Sequence, residues 1–164
     1  YAAGVIGFTF EEIMILGIVL NITAGLGAFL MGYLDDSKGS QKTVQWSILF
    51  LSFACLLAFV APIIPTWFAD VSWLTSKLVF WIAAILLGFF SGPNQSASRS
   101  LMAHYTPADK SNEFFGFYAF SGKATSFLGP LLFGWITTLF STQQAGVLVD
   151  LTLFMFGYVL MKRV

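Results

Sequence analysis

The sequence predicts an all-α integral membrane protein, a helix bundle with about five transmembrane segments. Three observations carry that prediction. Only 10% of the 164 residues are charged and 57% are hydrophobic, whereas a soluble domain is about a quarter charged. Lipid solvates apolar side chains directly, so such a chain needs no polar shell. The few charges cut the chain into uncharged blocks long enough to cross a bilayer. The Lys and Arg residues gather on one side of the alternating connections between those blocks.

Block lengths set the crossings. Residues 13–34, 43–69 and 78–98 carry no charge, and residues 114–149 are interrupted only by Lys123. A helix needs roughly 20 apolar residues to cross the hydrocarbon core. The last block is too long for one crossing and breaks at the polar stretch 141–146, Ser-Thr-Gln-Gln-Ala-Gly. The helices are therefore expected near 13–34, 44–63, 78–99, 114–140 and 146–161, as one transmembrane domain over 1–164. Strands are excluded, because the blocks are continuously apolar rather than alternating.

Five crossings put Lys38, Lys42, Arg99, Lys110, Lys162 and Arg163 on one side and Lys77 on the other. The positive-inside rule then places connections 35–43 and 100–113 and the C-terminus in the cytoplasm. Glu11, Glu12 and Asp70 fall on the outer side. Trp67, Trp73 and Trp81 surround the outer connection 64–77, which is expected to lie along the interface. The expected location is multi-pass in a bacterial inner (plasma) membrane.

Zero net charge gives no reason to expect a nucleic-acid partner. Cys55, the single cysteine, has no internal disulfide partner. Residues 1–10 have no basic start and no small-residue cleavage site, so the chain reads as beginning within a longer protein. The sequence holds no HExxH, no Ser/His/Asp set and no phosphate-cradling Gly loop. No enzyme activity, cofactor or metal is expected. His104 reads as a loop residue without a second ligand. Asp150 reads as lying near the outer end of the last helix, within reach of water or the helix start. Asn21-Ile22-Thr23 and Asn94-Gln95-Ser96 fit the glycosylation pattern, but both lie in or beside crossings and are discounted.

Three segments carry the polar exceptions. In the first, residues 32–42, Gly32 lets a helix end approach a neighbour. Asp36 is placed to cap the following helix or meet its positive end, and Gly39 permits a tight reversal. The second, residues 91–100, is too polar to face lipid. Ser91, Gln95 and Ser98 recur at three- to four-residue spacing and share a helix face, and Pro93 removes a backbone donor, which should kink the helix. That face either lines a water-filled path, with Asn94, Gln95, Ser98 and Arg99 along it, or bonds neighbouring helices together. In the third, residues 112–134, Lys123 lies roughly 15 Å into its helix. Such a residue faces a cavity or finds a partner. It binds an anionic group or takes part in proton coupling, or else forms a structural ion pair or snorkels to the surface. Gly129-Pro130 is a flexure point.

These segments carry a resemblance. Gly32, Leu34, Asp36 and Gly39 match the G-x-L-x-D-R-x-G-R-K loop of the major facilitator superfamily, with Ser37, Ser40 and Gln41 in place of its basic residues. Gly92, Gln95, Ser98, Arg99 and Ser100, then residues 113–118, 121–123 and 128–130, resemble the vacuole-effluxer-like (autophagy-related amino-acid permease) branch. The resemblance implies a partial C-terminal six-helix half of a twelve-helix transporter. Its partners would be the bilayer, the missing N-terminal bundle and a small-molecule substrate, with amino acids moved outward among the substrates that the resemblance implies. Lys123, Asn94, Gln95, Arg99 and Ser98 would serve its path or gate, and Gly32, Asp36 and Gly39 its inner gate. The rival expectation is a non-transporting subunit or scaffold of a larger membrane complex with the same fold.

Overall fold

The computed structural model describes residues 1–67 and 75–163, so Asp70 and Trp73 lie outside the described residues. Five long helices dominate it: α1 (Phe10–Lys38), α2 (Ser40–Val60), α4 (Ser76–Tyr105), α5 (Ser111–Phe140) and α6 (Gln143–Met161). A one-turn helix, α3 (Ile64–Trp67), follows α2, and a 3-10 turn, Ala108–Lys110, precedes α5. No strand occurs among the described residues.

The helices outrun the uncharged blocks. The 29 residues of α1 span about 43 Å at the helical rise, more than the ~30 Å hydrocarbon core. Outside that core polar residues suit a helix as well as a turn, so α1 continues through Asp35, Asp36 and Lys38. Its start is fixed by a reciprocal cap. The Glu12 N–H donates to Thr9 Oγ1 (3.3 Å) and the Thr9 N–H donates to Glu12 Oε2 (2.7 Å). Thr75 caps α4 by accepting the Leu78 N–H at 3.2 Å. The expected polar turn at 141–146 is shorter in the structure. Ser141, in the left-handed region at φ 54°, and Thr142 make the whole turn, and α6 begins at Gln143.

The long helices pack as a row, α1 on α4, α4 on α2, α2 on α6 and α6 on α5. The α1–α4 seam is the closest. A Cβ at Gly27 would overlap the Phe89 carbonyl, one at Gly92 the Ala24 carbonyl, and one at Gly88 the Thr23 hydroxyl. Small residues at four-residue spacing let two backbones approach where hydrophobic force cannot drive association. Further along the row, a Cβ at Gly146 of α6 would meet Phe133 and Thr137 of α5 at 2.7 Å.

The connections alternate between two ends. At one, Ser40 Oγ donates to Ser100 Oγ (3.0 Å), and Gln41 and Gln45 Nε2 donate to the Met161 carbonyl (3.4 and 2.9 Å). At the other, Tyr1 Oη donates to the Ala58 carbonyl (2.9 Å) and Lys77 pairs with Glu12. Lys38, Lys42, Lys110, Lys162 and Arg163 all belong to the first end. There Phe154, Tyr158 and Met161 pack on Val44, Ile48 and Ala97. At the opposite end Ile6, Phe8, Leu16, Ala61, Val79 and Ala84 form a second core, joined by Trp81.

Four helices, α1, α2, α4 and α6, are long and apolar enough to cross a membrane. The protein is a multi-pass integral membrane protein with an all-α bundle. α5 has the length, 30 residues, but Lys123 and its many Gly, Ser and Thr residues dilute its apolar character.

Candidate functional site

The polar part of α4 follows from how the chain handles Pro93. Proline has no N–H to give to the carbonyl four residues back, which is that of Phe89. The helix nonetheless runs unbroken through Pro93, and the freed Phe89 carbonyl is covered by the bare Cα of Gly27. Cα–H···O contacts of this kind recur between close helices. The seam so formed fixes α4 against α1 and turns Ser91, Asn94 and Gln95 toward a groove of about 550 Å³.

That groove is also lined by Asn21 of α1, and Leu51 and Phe154 close it from α2 and α6. Two of its polar groups bond along their own helices. Ser91 Oγ donates to the Gly88 carbonyl (2.8 Å) and Asn21 Nδ2 to the Gly17 carbonyl (2.8 Å). The Asn94 amide oxygen is buried with no partner among the described residues, a cost that a buried polar group does not usually carry. Gln95 is exposed. No charged side chain lines the groove.

Several expected site residues lie elsewhere. Ser98 does not share the groove: its hydroxyl turns back to the Asn94 carbonyl at 2.6 Å. Arg99 is exposed, one turn past Gln95 toward the end that holds the α1–α2 connection. Lys123 lies twelve residues into α5, about 18 Å by the helical rise, deeper than its sequence block suggests because α5 starts at Ser111. It is exposed, its side chain makes no hydrogen bond or ion pair among the described residues, and it does not line the groove. α5 buries none of its residues.

The loop segment frames a second cavity of about 600 Å³, lined by Asp35, Asp36, Lys38, Lys42 and His104 among others. Gly39 belongs to it and has φ 87°, a conformation that excludes most side chains. One of the two alternatives for Asp36, and the close approach expected at Gly32, are not met here. Asp36 does not cap α2, because α1 runs past it and Gly39 takes the cap position without a side-chain bond. Gly32 has nothing within 4 Å of where a Cβ would stand, so it brings no described neighbour close. His104, expected in a loop, is in the last turn of α4, its Nδ1 3.0 Å from the Ser100 carbonyl. Asp35, whose Oδ1 is buried without a partner among the described residues, carries no signal in the sequence apart from the motif residue beside it.

The vacuole effluxer Atg22-like family matches over residues 1–164. The chain belongs to that family. Among family relatives and their neighbours, an uncharacterised MFS-type transporter, YxiO, of Bacillus subtilis (strain 168) is 27% identical over 97% of this chain and 34% of its own length. Autophagy-related protein 22 of Cryptococcus neoformans is 27% identical over 100% of this chain and 29% of its own. The hexose-6-phosphate:phosphate antiporter of Salmonella typhimurium is 30% identical over 78% of this chain and 26% of its own. The chain thus spans about a third or less of the length of these relatives. No solved structure matches. The Atg22-like family is described as vacuole effluxers, and the Bacillus and Salmonella relatives as a transporter and an antiporter, not as enzymes.

Proposed function

We propose that this chain is the C-terminal bundle of a secondary transporter that moves small metabolites, amino acids outward among them, by alternating access. The observation that supports it most is the α1–α4 groove. Asn21, Ser91, Asn94 and Gln95 gather there on helices that are otherwise apolar. Polar side chains at such depth are costly unless they face a cavity or a partner. The bundle rocks against an N-terminal bundle that supplies the opposite wall.

In this reading α5 is the fourth of five crossings, because α4 and α6 both finish at the same end of the row. That end is cytoplasmic by its excess of Lys and Arg, and with it the C-terminus. The description of the family as effluxers supports outward movement, and the Bacillus relative supports a bacterial plasma membrane. Asn94 and Gln95 contact substrate, Ser98 and Arg99 stand at the inner mouth, and Lys123 meets an anionic group brought by substrate or by the N-terminal bundle. Asp36 and Gly39, with Gly32, belong to the inner gate around the second cavity.

The test is flux of labelled amino acids into and out of vesicles that hold the full-length protein, natural or with Lys123→Ala. Saturable flux that falls in the variant supports the reading. Unchanged flux removes Lys123 from the mechanism. A second reading, a non-transporting subunit with the same fold, draws on one observation: Lys123 lines neither the α1–α4 groove nor the cavity around the loop segment. Absence of saturable flux of any metabolite favours it.

A further inference from the structure

Two charged residues lie within the stretches 13–34, 44–63, 78–98, 114–140 and 146–161: Lys123 and Asp150. They differ in placement. Lys123 is on the exposed face of α5, whereas Asp150 is half-buried on the face of α6 that packs against the bundle. Val147, Asp150, Phe154 and Tyr158 follow one another at three- and four-residue spacing, one stripe of the helix. Val147 is buried, and Phe154 and Tyr158 pack on Val44, Ile48 and Ala97. Asp150 thus interrupts an otherwise packed stripe. It lies seven residues inside α6, about 10 Å from the helix start, too deep for the short side chain to reach that end.

The groups facing it are few. α2 packs on α6, and its span brings the buried Cys55 thiol. α5 also packs on α6, and its span offers Lys123 and the phenol of Tyr118. Because Gly146 stands against Phe133 and Thr137, Asp150 is level with the residues near 131, and Lys123 is about 12 Å further toward the inner end. The charged and titratable groups of α4, Lys77, Arg99, His104 and Tyr105, are near its two ends, and Lys77 is held by Glu12. Among the described residues no hydrogen bond or ion pair reaches the Asp150 carboxylate, and no three His, Cys, Asp or Glu side chains gather as metal ligands.

From this placement we infer that Asp150 is a proton-exchange site, the carboxyl through which this bundle couples substrate movement to a proton. The inference rests on the transport reading above. A lone carboxylate among apolar neighbours is stabilised by binding a cation. A sodium ion needs several oxygen ligands, whereas a proton needs one oxygen. In the step itself one Asp150 oxygen binds a proton taken from one aqueous side, forming the neutral acid. The same O–H bond releases it to the other side as the bundle changes its exposure.

Two measurements on the full-length protein in vesicles decide the matter. The first compares accumulation driven by a pH gradient with exchange of labelled for unlabelled substrate, in the natural protein, Asp150→Asn and Asp150→Glu. Expected is loss of accumulation with exchange retained in Asp150→Asn, and recovery in Asp150→Glu. Accumulation that survives in Asp150→Asn, accumulation that follows a sodium gradient instead, or equal loss of both fluxes, overturns the assignment. The second treats the natural protein with an apolar carbodiimide, which attacks protonated carboxyls in apolar surroundings, and maps the adduct. Expected is labelling of Asp150 that fades as pH rises; an unlabelled Asp150 overturns the assignment. This mapping needs no flux, so it decides alone if Asp150→Asn fails to reach the membrane. It also separates failure of the proton site from failure of the transport reading.

Discussion

The Phe89 carbonyl lies so close to Gly27 that no side chain fits between them. Pro93 frees that carbonyl on α4, and a glycine on α1 covers it. Gly27→Ala forces two backbones apart, and overpacking of this kind costs about 1–3 kcal/mol. The expected outcome is a lower midpoint of thermal unfolding in detergent. Gly32→Ala, with open space around it, should leave the midpoint where it is. Equal effects at the two positions would mean that the close seam contributes nothing.

Lys77 Nζ donates to both oxygens of Glu12, at 2.9 and 2.8 Å, at the end opposite the α1–α2 connection. Glu12 precedes the uncharged stretch 13–34. The Lys77 hydrogen bond, then the Thr9 N–H, hold its carboxyl below the usual carboxylate value. A lowered value in the folded state means that the stabilisation is present above the ordinary Glu value and fades as pH falls through the folded one. Acidification should therefore lower the unfolding midpoint of the natural protein more than that of Glu12→Gln. The difference should be small and should shrink with added salt, because exposed pairs are screened. Parallel pH profiles would remove the pair from the stability of this end.

Topology gives a third expectation. With Cys55 replaced by Ala, single cysteines at Lys38 and Lys110 should react with an impermeant maleimide only in inside-out vesicles. A cysteine at Lys77 should react only in right-side-out vesicles. The outcome tests whether α5 crosses, since Lys110 precedes it and the C-terminus follows α6. Labelling at Lys110 and at a cysteine placed at Arg163 from opposite sides would leave α5 or α6 out of the membrane.

Natural Cys55 is buried at the α2 seam. It should resist the same impermeant reagent from both sides of the membrane and react once detergent and heat unfold the bundle. Ready labelling in intact vesicles would place α2 differently in the row.

That the apolar blocks form long helices was legible, because they are continuously apolar rather than alternating. Their ends were not: Asp35, Asp36 and Lys38 are as well solvated in a helix as in a turn, so composition does not mark where α1 stops. Asn94 and Gln95 were legible as amides inside an apolar helix. Asn21 carried the same signal, but its Asn-Ile-Thr context drew attention to glycosylation instead. The separation of Lys123 from Asn94 and Gln95 was not legible, since sequence gives depth along a helix but not which way neighbouring helices turn. Asp150 was read as near a helix end because the expected α6 began at residue 146. Starting the helix at Gln143 moves it a turn deeper.

Separating the groove from Lys123 gives the last expectation. Asn94 and Gln95 share the groove with Asn21 and Ser91, and the buried Asn94 amide oxygen lacks a partner. Loss of one hydrogen bond to a bound ligand costs about 0.5–1.5 kcal/mol, so Asn94→Ala and Gln95→Ala should each weaken substrate half-saturation several-fold in vesicles. If both amides hold one ligand, the double variant should differ from the product of the single effects, because residues that share a partner are coupled. Lys123→Ala should combine with either amide variant as a simple product, since Lys123 does not line the groove. Coupling between Lys123 and Gln95 instead would show that the substrate bridges α4 and α5, and that the two helices approach in a state other than this one. Independence of Asn94 and Gln95 would mean that the groove does not hold the substrate.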